Sequence, residues 1–177
     1  MGLDRSYIVE ILNERDPQVV SHLYDAAYRT KVDSVGENVY LRGLIEISNI
    51  CHKNCLYCGI RSGNRSVERY QLSKDEVLEA AKFAHEAGYG SIVIQGGERQ
   101  DKSFVKDIKK LIRKIKRLSR ENPLGITLSL GEQPFEVYEE WFDAGAHRYL
   151  LRIETSNKEL YNMIHPSGDL HSFDSRV

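Results

Sequence analysis

Three cysteines, the only ones in the 177-residue chain, fall on one short stretch: Cys51-His52-Lys53-Asn54-Cys55-Leu56-Tyr57-Cys58. A disulfide framework would leave one thiol over, and the spacings are too short for relaxed pairing. Structural zinc takes four protein ligands, and only His52 lies near as a fourth. Thiolates are soft ligands that suit iron–sulfur clusters. Three of them on a four-iron cluster leave one iron open for a substrate or a cofactor. The cluster is the preferred reading, with zinc and ordinary buried cysteines as the alternatives.

The elements around this stretch decide where it sits. The run Val39 to Ser48 is strand-like and leads into the cysteines, and Gly59 and a polar, basic loop through Arg69 follow them. Ser73 and Glu76 form a capping box, with Leu72 and Val77 placed for a hydrophobic staple; the helix ends at Gly88. Residues 91–94 are a short buried strand. Phe104, Ile108, Leu111, Ile112, Ile115 and Leu118 share a helical spacing that Asn122-Pro123 ends. Residues 126–130 form the next strand, and Phe135, Tyr138, Trp141 and Phe142 a third helix ending at Gly145. A fourth strand covers 147–153. Ser156 and Glu159 cap a last helix that Pro166 closes. Strands alternating with helices imply a parallel sheet with right-handed crossovers. Residues 4–31 read as two further helices, with Asp16 as N-cap and Pro17 at the first helical position, packed as a lid by the main domain; 32–38 is a polar turn.

In parallel α/β folds ligands bind beyond the carboxyl ends of the strands. The cysteines follow the first strand, Gln95-Gly96-Gly97-Glu98 the second, Gly131-Glu132 the third, and Arg152 and Glu154 end the fourth. That convergence is an argument for one site. Gly96 and Gly97 let backbone approach a ligand, or form a plain tight turn. Arg152 suits a bidentate grip on a carboxylate, or an ion pair with Glu154 or Glu132. Glu132 can accept from an ammonium or from hydroxyls. Ser129 is a polar contact or an inward strand serine. His52 is not needed as a ligand. Lys106, Lys109, Lys110, Arg113, Lys114, Lys116, Arg117 and Arg120 form the solvated face of their helix. Arg61, Arg65 and Arg69 near the cysteines tune or steer, or are surface charge.

A net charge of −1 argues against a dedicated nucleic-acid or membrane-surface binder. No apolar run is long enough to span a bilayer, and no signal-peptide core follows Met1. Free thiols and a cluster favour a reducing cytoplasm. A closed eight-stranded barrel takes roughly 250 residues. Four strand–helix units in this length therefore suggest an N-terminal half barrel, with residues 1–38 as a helical segment and 39–177 as the partial barrel.

The cysteine triplet, with an aromatic before its last member, resembles the radical S-adenosylmethionine (SAM) superfamily. Asn54 to Gly59, Ser129-Leu130-Gly131-Glu132 and Arg148 to Thr155 are similar to the HydE type of [FeFe]-hydrogenase maturase, with methylornithine and biotin synthases as the next relatives. The resemblance runs from about Val39 to the C-terminus. It implies a 4Fe-4S cluster on Cys51, Cys55 and Cys58, and SAM on the open iron, cleaved to a 5′-deoxyadenosyl radical. It also implies cofactor contacts from Gly96, Gly97 and Glu98 to the SAM amino group and from Ser129, Glu132, Arg152 and Glu154; Tyr57 places the loop backbone against the adenine, or only packs. The implied partners are a small-molecule substrate, a one-electron donor of flavodoxin or ferredoxin type, and other hydrogenase maturation proteins.

Overall fold

The computed structural model describes residues 4–166 and 172–176. The chain forms two compact units, Met1–Val39 and Tyr40–Val177. The first holds α1 (Arg5–Asn13) and α2 (Pro17–Val35). Asp16 caps α2 by accepting from the Gln18 N–H, with Pro17 at the first helical position. The helix runs to Val35, so most of the turn expected over 32–38 is helical, and the break comes at Gly36 with φ 78°.

The second unit is built from β1 (Arg42–Ser48), α3 (Lys74–Glu86), β2 (Ser91–Gly96), α4 (Lys102–Leu118), β3 (Gly125–Ser129), α5 (Phe135–Ala144), β4 (Arg148–Tyr149), α6 (Lys158–Ile164) and α7 (Phe173–Arg176). All three strand pairings are parallel, and the strands lie side by side in chain order. Sequential order without reversal is the succession of a (β/α) barrel rather than of a doubly wound sheet. The fold is the partial barrel that the alternation implied.

Strand alternation makes the core. Ile45, Ile47, Ile92, Ile94, Ile126 and Leu128 turn to the helices and are buried with Ala81, Ile112, Ile115 and Trp141. Each such isoleucine stabilises by about 2 kcal/mol relative to exposure. The other face of β1 carries Arg42, Leu44 and Glu46, which are exposed. Trp141 also donates its indole N–H to the Val105 carbonyl, 3.1 Å away, tying α5 to α4.

Several boundaries differ from the sequence reading. β4 pairs only at Arg148 and Tyr149, not over 147–153; pairing stops after the Leu150 N–H reaches Leu128 O, and Glu154 turns the backbone at φ 66°. Helix α4 ends at Leu118, short of Asn122-Pro123. Ser119 folds its hydroxyl back onto the Ile115 carbonyl and accepts from the Leu124 N–H. Asn157, not Ser156, caps α6. Trp141 is core, but Phe135 and Phe142 are exposed, off the face of α5 that Trp141 and Ala144 bury. On α4, Lys109 pairs with Glu140 and Lys116 donates to Leu124 O, so these two leave the solvated face.

Candidate functional site

The cysteine loop is seated on backbone. Gly97 N–H donates to Ser48 O at 3.1 Å, and His52 N–H to Glu98 O at 3.2 Å. The loop lies so close that a Cβ at Gly97 would stand 2.2 Å from the Ile50 carbonyl oxygen and 2.7 Å from Cys51 Cβ. Only glycine fits there. The same approach brings the Glu98 N–H to 3.4 Å from Cys51 Sγ, and the Lys53 N–H to the same distance. Such N–H···S contacts stabilise a thiolate and are among the levers that set cluster potentials. At the far side of the loop, Leu56 N–H donates to Ile164 O at 2.9 Å, and Cys58 N–H closes a turn on Cys55 O.

A chain of buried charges underlies the loop. Lys53 Nζ lies 3.2 Å from Glu98 Oε1, and both side chains are at most a tenth exposed. The contact is an ion pair without good hydrogen-bond alignment. Arg176 brings its Nη2 to 3.5 Å from Glu98 Oε2 and its Nε to 3.2 Å from Glu132 Oε2, and donates to Arg152 O at 2.7 Å. The Glu98 side chain passes beneath Gly131, whose φ of 81° and lack of a Cβ make the room. Charges this deep persist only when paired, because desolvation is costly.

Above this base the strand ends enclose a cavity of about 200 Å³. Cys51, Cys55, Cys58, Tyr57, Gly96, Gly97, Glu98, Ser129, Arg152 and Glu154 all line it. Glu132 does not; its carboxylate is turned to Arg176. Arg152 donates to Gln95 Oε1 at 2.8 Å, and Gln95 in turn donates to Glu46 Oε1 at 2.8 Å, so in place of the alternative ion pair with Glu154 or Glu132 there is a relay across the sheet. The Tyr57 hydroxyl lies 3.2 Å from His165 Nε2, and His165 is buried against Tyr161. Burial, and then the neighbouring Cys55 sulfur, push the Tyr57 phenol well up. His52 is exposed and does not line the cavity.

Lys53, Glu46, His165 and Arg176 were not singled out from the sequence. Lys53 stands inside the cysteine stretch, the one signal that was available. Arg176 and His165 come from segments far along the chain with no motif around them.

The three cysteines line one cavity, and three soft thiolates on one short loop are the donor set that suits an iron–sulfur cluster. No helix of the described residues is long and apolar enough to cross a membrane.

Comparison with known proteins agrees with this geometry. The chain is 39% identical to the [FeFe] hydrogenase maturase subunit HydE of Thermotoga maritima over 174 residues, 98% of this chain and 47% of that protein. It is 26% identical to 3-methylornithine synthase of Methanosarcina barkeri over 167 residues, 94% and 46% of the two chains. The crystal structure of methylornithine synthase (PylB) superposes with a TM-score of 0.85 at 25% identity, covering 99% of this chain and 50% of that one. The chain thus spans about half the length of the curated relatives it matches. Members of the family implied by these likenesses use a 4Fe-4S cluster and SAM. The family model of the Radical SAM superfamily matches residues 45–173, and with the cysteine loop, the strand-end cavity and the sheet order in agreement, the chain belongs to the radical SAM superfamily.

Proposed function

We propose that this chain carries the cofactor-binding part of a radical SAM enzyme that acts on a small substrate in [FeFe]-hydrogenase maturation. The observation that carries the reading is the meeting of three thiols and the polar ends of all four strands at one cavity. In it, Cys51, Cys55 and Cys58 hold a 4Fe-4S cluster and leave one iron for SAM. When bound, the two supply a 5′-deoxyadenosyl radical on one-electron reduction.

The chain's own residues bind, orient and exclude water. The backbone at Gly96, Gly97 and Glu98 meets the SAM amino group. Arg152 and Glu154 reach the cofactor's polar groups from the fourth strand end and Ser129 from the third, while Glu132, outside the lining, holds Arg176, which does line the cavity. Tyr57, held by His165, presents the loop beside the adenine. Leu150, Leu151 and Ile60 line the wall and keep it apolar. The electron comes from a flavodoxin- or ferredoxin-type donor, and other hydrogenase maturation proteins are the functional partners. The 39% identity to the hydrogenase maturase subunit supports the maturation role.

Anaerobic reconstitution of the full-length protein with iron and sulfide tests the reading. A broad absorbance near ~400 nm that a Cys55→Ala variant loses, and 5′-deoxyadenosine on reduction with SAM, are expected. Colourless protein holding stoichiometric zinc overturns it. The 0.85 TM-score to methylornithine synthase favours one second reading. Production of 3-methylornithine, without restoration of hydrogenase activity in a strain lacking the maturase, would select it.

A further inference from the structure

Arg69 lies eleven residues past the last cysteine and lines no part of the cavity. Its guanidinium is nonetheless the most heavily used side chain of the region. Nη1 donates to Asn49 O at 2.6 Å and to Ile60 O at 2.7 Å. Nη2 donates to Arg61 O at 2.7 Å and to Asn64 O at 3.0 Å. Asn49 stands just before Cys51, and the other three acceptors stand just after Cys58. One planar cation therefore joins the segment leading into the cysteine loop to the turns leading out of it.

The neighbours of Arg69 hold it in place. Asn49 donates its side-chain amide to Glu68 O at 2.7 Å and accepts from the Tyr70 N–H at 2.8 Å, while Ser48 Oγ donates to Tyr70 O at 3.0 Å. Ser48 also bridges Gln71 antiparallel. Residues 68–71 are thus pinned along the end of β1, and Arg69 reaches from that base across the feet of the loop. Four carbonyls bound through two nitrogens of one rigid fork define a distance that a flexible lysine, with three donors on a single atom, cannot reproduce.

We infer that Arg69 is a positioning residue that fixes the span of the cysteine loop, and that this span is what presents the thiols to an iron–sulfur cluster rather than to a single ion. The inference rests on the cluster reading above. Arg69 touches no reacting group; it acts through the backbone on either side of Cys51 and Cys58. Partners one step removed from metal ligands change metal affinity about tenfold to a hundredfold when lost, and that is the size expected here.

The test compares full-length wild type, Arg69→Met and Arg69→Lys, first as apo-proteins and then after anaerobic reconstitution. Thermal melting of the apo-proteins should agree within a few degrees. The rate at which a chelator strips iron should rise about tenfold or more in both variants, the lysine included. Zinc affinity of the apo-protein should be unchanged or increased, since the loop is free to close around one ion. Guanidinium ion added to Arg69→Met should slow the stripping. Wild-type stripping rates in either variant overturn the inference while leaving the proposed function intact. Loss of folding in both apo-variants also overturns it, since Arg69 would then be a general element of the fold. A wild type that builds no cluster fails the functional reading instead, and the inference falls with it.

Discussion

At the scale of residues, most of the site's precision comes from contacts that a motif does not display. Gly97 illustrates this. The resemblance gives the glycine pair a role at the cofactor, and the structure adds a second demand, since Ile50 O leaves no space for a Cβ. Gly97→Ala is expected to displace residues 50 and 51 and to destabilise by roughly 1–3 kcal/mol, as overpacking does; urea unfolding of the apo-protein measures it, and an unchanged midpoint refutes it. The Lys53–Glu98 pair makes a sharper case. Removing one partner of a buried ion pair costs roughly 3–5 kcal/mol, and Arg176 still facing the carboxylate puts Lys53→Met at the low end of that range. A double-mutant cycle with Glu98→Gln should return a coupling above about 0.5 kcal/mol; strict additivity would dissolve the pair. Neither partner's environment was readable beforehand, because the two residues are separated by a whole strand–helix unit, and their approach is decided by how β1 and β2 end side by side.

At the scale of elements, local chemistry was legible and tertiary chemistry was not. The Ser73–Glu76 capping box and the Asp16-Pro17 start are i to i+2 or i+3 relations that a sequence states directly, and both stand in the structure. The end of α4 depends instead on Ser119 meeting Leu124, and the end of β4 on where its pairing with β3 stops, after the Leu150 N–H reaches Leu128 O. The N-cap of α4 is Asp101, a good capping residue. It accepts from the Phe104 N–H at 3.0 Å and from the Ser103 hydroxyl at 2.6 Å, with Arg99 beside it. Asp101→Ala should cost about 1 kcal/mol. The Ser103 hydrogen bond first, then the Phe104 N–H and Arg99, hold its carboxyl down to about 2. Because the folded value lies below the unfolded one near ~4, the charged form's stabilisation is full above that unfolded value and disappears as pH falls toward 2. Asp101→Asn keeps a capping oxygen and removes the charge, so its melting temperature should trail wild type at pH 6 and meet it near the acid limit. A gap that stays constant across that range would place the effect elsewhere.

At the scale of the whole molecule, the chain is two units joined at residues 36–41, all of them exposed, with Tyr40 and Leu41 largely so. Brief chymotrypsin treatment should cut first at Tyr40 or Leu41 and leave a product beginning there that keeps the parallel sheet's circular dichroism; first cleavage inside 91–129 would contradict this. Within the second unit, the cavity draws on every strand end, so position along the chain foretold which residues line it, Glu132 excepted, and not what they pair with. Membership follows from topology, while the roles of Lys53, Glu98 and Arg176 follow from packing. One consequence reaches beyond the protein to its gene. The cysteine loop rests on the main chain at residue 97, where any codon change that alters the amino acid adds a Cβ. His52 and Leu56, exposed within the loop itself, are free of that restriction. Inherited variation should therefore collect at His52 and Leu56 and be absent from a glycine nearly forty codons downstream of the cysteines.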